Sequence, residues 1–151
     1  MRTWIGWLLV ALQAVLIVAL VLVPKAELTA VRLVPGMALI AGGAILGIWA
    51  GRRLGNALTP TPVPLAGAAL RTEGPYSRVR HPIYSAVVLA AIGFTVAVGT
   101  WWTALVLVML VVFFLVKARW EDRLLQQVHG SDWDAWAART GALLPRRVSR
   151  Q

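Results

Sequence analysis

The 151-residue chain has no cysteine. That excludes disulfides, thiolate nucleophiles and cysteine metal sites, while leaving the redox compartment undefined. Charge is scarce as well: Asp, Glu, Lys and Arg make up 14% of the residues, against about a quarter in a soluble domain. Three stretches have no charge at all, namely twenty residues from Trp4 to Val23, nineteen from Leu33 to Gly51 and thirty-five from Pro82 to Val116. Gln13 is the most polar group inside them. Pumps and ion-coupled transporters carry ionisable groups near the bilayer midplane, so this absence speaks against transport. Internal repeats and a second domain are also missing, and residues 1–151 read as one integral membrane domain.

What is present is apolar. Hydrophobic residues make up 59% of the chain, and a spanning helix needs roughly 20 of them in a row. The expected architecture is all-α and polytopic, with about four transmembrane helices near 4–23, 33–51, 83–98 and 101–116. The first run is longer than a signal-peptide core and ends at Val23-Pro24-Lys25 without a small-x-small site, so it reads as a retained helix. Trp4 and Trp7 suit the headgroup region, as do the other tryptophans. The second helix is expected to start near Pro35. Its Gly43, Gly47 and Gly51 have the four-residue spacing that lets backbones approach closely in lipid, which would serve internal packing and leaves an oligomer open. The thirty-five-residue run would make a helix of roughly 50 Å, too long for one span of about 30 Å. Gly99-Thr100 is the natural break, giving a tight hairpin with legs of about 24 Å each. A tail helix over 117–128 is expected to lie along the membrane surface or cap the bundle. Gly130 would end it, and Ser131 would cap a short helix carrying Trp133, Asp134 and Trp136.

The basic excess of +9 points to loops on the cytoplasmic side and to anionic lipid rather than to nucleic acid. Arg52, Arg53, Arg71, Arg78 and Arg80 face one acid, Glu73, between the second and third helices. Seven basic and four acidic residues follow from Lys117 onward. With Arg2, these place both termini in the cytoplasm. Thr59-Pro60-Thr61-Pro62-Val63-Pro64 should be extended and stiff, because each proline fixes φ and removes a donor. The hairpin would then gather the polar groups at one end of the bundle. Gly74-Pro75-Tyr76-Ser77-Arg78-Val79-Arg80-His81-Pro82-Ile83-Tyr84 enters helix three, and Lys117-Ala118-Arg119-Trp120-Glu121-Asp122-Arg123 leaves helix four. From the residues alone, the arginines also fit as headgroup anchors with solvated acidic partners.

Leu70-Arg71-Thr72-Glu73-Gly74-Pro75-Tyr76 followed by Arg80-His81-Pro82-Ile83-Tyr84 resembles the signature of the isoprenylcysteine carboxyl methyltransferase and phospholipid methyltransferase family. Glu121-Asp122-Arg123-Leu124-Leu125, then Gly130, Trp133, Trp136 and Leu144-Pro145, is similar to the family's distal pattern. The chain has Glu-Asp where two glutamates are usual, Trp at 133 and 136 for Tyr, His129 for Phe, and Ala86 for Gly. The resemblance implies S-adenosylmethionine bound at the cytoplasmic end, in a region of about 68–84 and 117–145. It implies Leu70, Arg71, Tyr76, His81, Pro82, Tyr84, Glu121 and Asp122 as cofactor-binding residues, with Glu121 taking the cofactor's ammonium group. Lys117 and Arg119 would hold the substrate, and His81, Arg119 and Glu121 would form the catalytic set, with no metal. The acceptor would be a lipophilic small molecule or lipidated substrate in contact with membrane lipids. His129 reads as a surface histidine. The soluble methyltransferases' glycine-rich strand-to-helix motif is absent, so helices and loops must build the site. An NADPH-dependent membrane reductase of the sterol-reductase type, or a non-enzymatic scaffold, stands as the alternative.

Overall fold

The computed structural model describes residues 3–64 and 67–146. Arg2, Arg147 and Arg150, part of the orientation argument, lie outside the described residues. Five α-helices follow in order: α1 (Thr3–Leu22), α2 (Ala30–Leu54), α3 (Pro82–Val98), α4 (Trp101–His129) and α5 (Ser131–Ala137). Three of them, α1, α2 and α4, are long and apolar enough to cross a membrane. At 17 residues, α3 would measure about 25 Å, slightly less than a hydrocarbon core of roughly 30 Å. The protein is an all-helical integral membrane protein.

The break at Gly99-Thr100 is where the composition placed it. Gly99 ends α3 in the left-handed region at φ 62° and returns its N–H to the Thr95 carbonyl. Thr100 then caps α4 by accepting from the Thr103 N–H, so the two residues close one helix and open the next.

Two boundaries differ from expectation. α2 begins at Ala30, five residues ahead of Pro35, which lies inside the helix. Pro35 lacks the N–H that would bond to the Val31 carbonyl, so α2 forms with one bond missing in its second turn. The larger difference is in α4, which does not stop at Val116 but runs 29 residues to His129. Neither glycine nor proline interrupts Val116-Lys117-Ala118, and all three continue a helix. The expected surface-lying tail is therefore the far end of a rod about 43 Å long. Ser131 also moves, standing inside α5 without a capping bond, behind Gly130 at φ 54°.

Small residues let α2 and α3 pack backbone to backbone. A Cβ on Gly43 would meet the Ala90 amide at 2.9 Å, and one on Gly93 would meet the Ile40 amide at 2.8 Å and Leu39 Cβ at 2.9 Å. Gly47 lies near Ala86, while Gly51 faces only Leu58. Gly43 is thus occupied within the chain. Gly93→Ala should lower stability by about 1–3 kcal/mol through overpacking. Gly42→Ala, whose Cβ meets Leu89 at an ordinary 3.7 Å, should be neutral. Thermal unfolding in a mild detergent compares the two, and equal melting temperatures would refute the close packing.

α1 packs on the other side, with Leu16 and Leu20 in one core with Ala91, Leu110, Phe113 and Phe114. Its outer face, including Trp4, Trp7, Leu12 and Val15, is exposed, as a lipid-facing helix requires.

Candidate functional site

A cavity of about 220 Å³ opens where the end of α4, the start of α3 and the loop after α2 converge. α4 contributes Lys117, Glu121, Leu125 and His129, four residues at four-residue intervals and so on one helical face. α3 contributes His81, its N-cap, together with Pro82 at its first position and Tyr84 two residues later. Leu70, Arg71 and Tyr76 line the approach, and Thr59–Pro64 forms a wall. That wall leans on α1, because a Cβ on Gly6 would touch Thr61 Cβ at 3.2 Å.

The entry to α3 is held by a stretch sixty residues away. The Arg80 and His81 amides donate to the Gly141 and Ala142 carbonyls at 2.8 and 3.0 Å, and the Gly141 amide donates to the Arg78 carbonyl at 3.2 Å. Among the described residues, this parallel bridge between Val79 and Gly141 is the one isolated β pairing. Ser85 adds a bond from its hydroxyl to the Leu143 carbonyl at 2.6 Å. Buried Trp136 donates from Nε1 to the Tyr76 carbonyl at 2.8 Å, and the Arg80 guanidinium lies 5.8 Å from the Trp133 ring centroid. These two tryptophans support the site and are not interfacial anchors. Trp101 and Trp102, at the α3–α4 turn, are exposed.

Inside this frame the charged groups interlock. His81 Nε2 lies 2.9 Å from Asp122 Oδ1, and His81 Nδ1 lies 3.6 Å from Glu121 Oε2. Arg80 Nε donates to both Asp122 oxygens at 3.2 and 3.3 Å. Its Nη1 donates to the Thr140 and Ala137 carbonyls at 2.7 and 3.3 Å. The Tyr84 hydroxyl donates to Glu121 Oε2 at 2.5 Å, and the Tyr84 ring stacks on His81 with centroids 5.3 Å apart and planes 5° apart. Burial, assisted by the negative charge of Glu121, pushes the Tyr76 phenol up to about 12. It therefore stays a neutral hydroxyl through the physiological range.

Of the residues singled out in the sequence, Leu70, Arg71, Tyr76, His81, Pro82, Tyr84, Lys117 and Glu121 all line the cavity. Asp122 does not; it is turned toward Arg80 and His81. Arg119 is exposed and away from the cavity wall, since two residues turn a helix by roughly 200° from Lys117. His129, read as a surface residue, is half-buried and contributes to the wall. Gln13 was visible as a lone polar residue in an apolar run, but nothing local in the sequence joined it to α4. It accepts a hydrogen bond from Lys117 Nζ at 2.6 Å.

Residues 31–132 match the family described as phospholipid methyltransferase. This is more than half of the chain and spans the cavity-lining segments from α2 through α4. The chain belongs to the phospholipid methyltransferase family. No curated protein matches it. As a member of the phospholipid methyltransferase family it is a membrane methyltransferase in the general sense. α1, which lies ahead of the matched segment, is nonetheless part of the cavity wall through Gln13.

Proposed function

We propose that this phospholipid methyltransferase family protein binds S-adenosylmethionine in the cavity and methylates a lipophilic or amphiphilic acceptor at the cytoplasmic membrane interface. The observation that carries the reading is the placement of Glu121. Among the described residues, both polar contacts of its carboxylate, from Tyr84 and His81, fall on Oε2. Oε1 is left to accept from a ligand's ammonium group, a charge-assisted bond of the stronger kind. The remaining lining suits such a cofactor, with apolar Leu70 and Pro82, the phenols of Tyr76 and Tyr84, and the polar edge of Arg71. When bound, S-adenosylmethionine would supply an electrophilic methyl group on a sulfonium centre.

The chain's own contribution would be position and environment. Tyr84 and His81 hold Glu121 from one side, and Asp122, itself held by Arg80, holds His81 in turn. Asp122 is thus a positioning residue in this scheme. The Thr59–Pro64 wall would screen one side of the cavity from water, which favours a reaction that neutralises charge. A carboxylate or thiolate acceptor needs no general base. An amine needs one, and His81 and Glu121 are the cavity-lining candidates. Lys117 would meet the acceptor, with Arg119 serving from the membrane surface. The basic residues around this end would set it, and both termini, on the cytoplasmic side.

Equilibrium dialysis of the purified protein in neutral detergent, with radiolabelled S-adenosylmethionine and separately with NADPH, tests the proposal. Saturable binding of the methyl donor, displaced by S-adenosylhomocysteine, is the expected result. No saturable binding would overturn it, and tight NADPH binding in its place would favour a reductase.

A further inference from the structure

Lys117 is 3% exposed, yet none of the ion pairs within 4.0 Å among the described residues includes it. Glu121 lies one turn along α4 and gives its Oε2 to Tyr84 and His81. The direct contacts of Lys117 Nζ are all with uncharged groups. Gln13 Oε1 accepts one of its hydrogens at 2.6 Å, and the rings of Tyr84, Phe113 and Phe114 present their centroids at 4.9, 5.9 and 6.0 Å. Aromatic faces and an amide oxygen tolerate a cation, but neither cancels its charge. An ammonium has three donors, and with one given to Gln13 the others are spare at a cavity wall. Polar side chains within apolar spans are expensive and usually mark a binding function. Here two of them, 104 residues apart in sequence, meet at the same cavity.

We propose that Gln13 and Lys117 form a subsite for an anionic oxygen group, a carboxylate or a phosphate, at the head of an amphiphile whose chain follows the apolar wall of Leu54, Leu58, Ile83 and Val87. As the acceptor's subsite it rests on the methyl-transfer reading; as an anion site it stands on the geometry alone. Gln13 is the selecting element because it orients the ammonium without neutralising it. α1, outside the family match, therefore decides which head group is admitted.

The test measures the immobilised fraction of a spin-labelled amphiphile by electron paramagnetic resonance, with the full chain in neutral detergent. Doxyl-stearate should bind saturably, and its uncharged methyl ester at least tenfold more weakly. Gln13→Glu keeps the shape and offers Lys117 a better hydrogen-bond acceptor. It should nevertheless weaken stearate binding at least tenfold, because the new carboxylate occupies the ammonium. Gln13→Leu should weaken it as well. A purely structural pair predicts the opposite for Gln13→Glu, with binding and melting temperature unchanged or improved. Unlabelled phosphatidylglycerol distinguishes the sources: competition by it assigns the site to a lipid phosphate, and its failure to compete assigns a free carboxylate. Both results support the anion site. Equal binding of acid and ester, or full stearate binding by Gln13→Glu, overturns it. S-adenosylmethionine binding, measured on the same samples, separates the two proposals. Stearate binding without the cofactor sinks only the methyl-transfer reading, and cofactor binding without stearate sinks only this one.

Discussion

Glu121→Gln is expected to weaken S-adenosylmethionine binding by about 10- to 100-fold. A charge-assisted hydrogen bond contributes about 1.5–3 kcal/mol, and each 1.4 kcal/mol is about tenfold in affinity. The substitution is chosen for its geometry. A glutamine oxygen still accepts from the Tyr84 hydroxyl that now lies 2.5 Å from the carboxylate, so the wall keeps its shape while the negative charge disappears. Melting temperature should therefore change little, and dialysis with the labelled cofactor isolates the electrostatic loss. Binding within twofold of the parent would remove Glu121 from the ammonium-holding role.

Arg80→Met should be the most damaging single change to the fold around the site. The guanidinium ties both oxygens of Asp122 to the carbonyls of Ala137 and Thr140, and the Arg80 and Asp122 side chains are only 15% and 12% exposed. Removing one partner of a buried ion pair costs about 3–5 kcal/mol, because the other is left as an uncompensated charge. Here His81 keeps one bond to Asp122, which places the expected loss toward the lower end. Arg80→Lys should recover only part of the stability, since an ammonium lacks the planar fork that reaches carboxylate and carbonyls together. Thermal unfolding gives the magnitude, and hydrogen exchange at the Gly141 and His81 amides shows whether the bridge has opened. An unchanged melting temperature with protected amides would refute the assigned role.

The apolar runs were legible because hydropathy and helix length are local properties. Gly99-Thr100 was legible because each residue has an intrinsic preference for its side of the break. Eight of the cavity-lining residues were also legible, since they follow from two motifs placed at the two ends of a hairpin. The remainder depended on long-range geometry. Continuity of α4 through Lys117 was hidden by a change from apolar to charged residues, which alters solvation without interrupting the helix. The split between Glu121, which lines the cavity, and Asp122, which is turned to Arg80 and His81, is a matter of one residue's rotation about the helix. It becomes defined only once α3 is in place. Gln13 stood out as polar, yet its partner lies on a helix more than a hundred residues later. The Gly141 clasp uses backbone atoms, which leave no residue-type signature.

That clasp also has a consequence for the order in which the protein becomes competent during synthesis. Arg80 and the Thr140 carbonyl it binds are 60 residues apart, roughly 3–12 s of translation at about 5–20 residues per second. α1, α2 and the hairpin can enter the bilayer in that interval, before Arg80 and His81 meet the 137–142 backbone that they bind. Membrane insertion can thus precede pocket assembly, and a chain halted within α4 would lack the backbone clasp that holds the entry to α3.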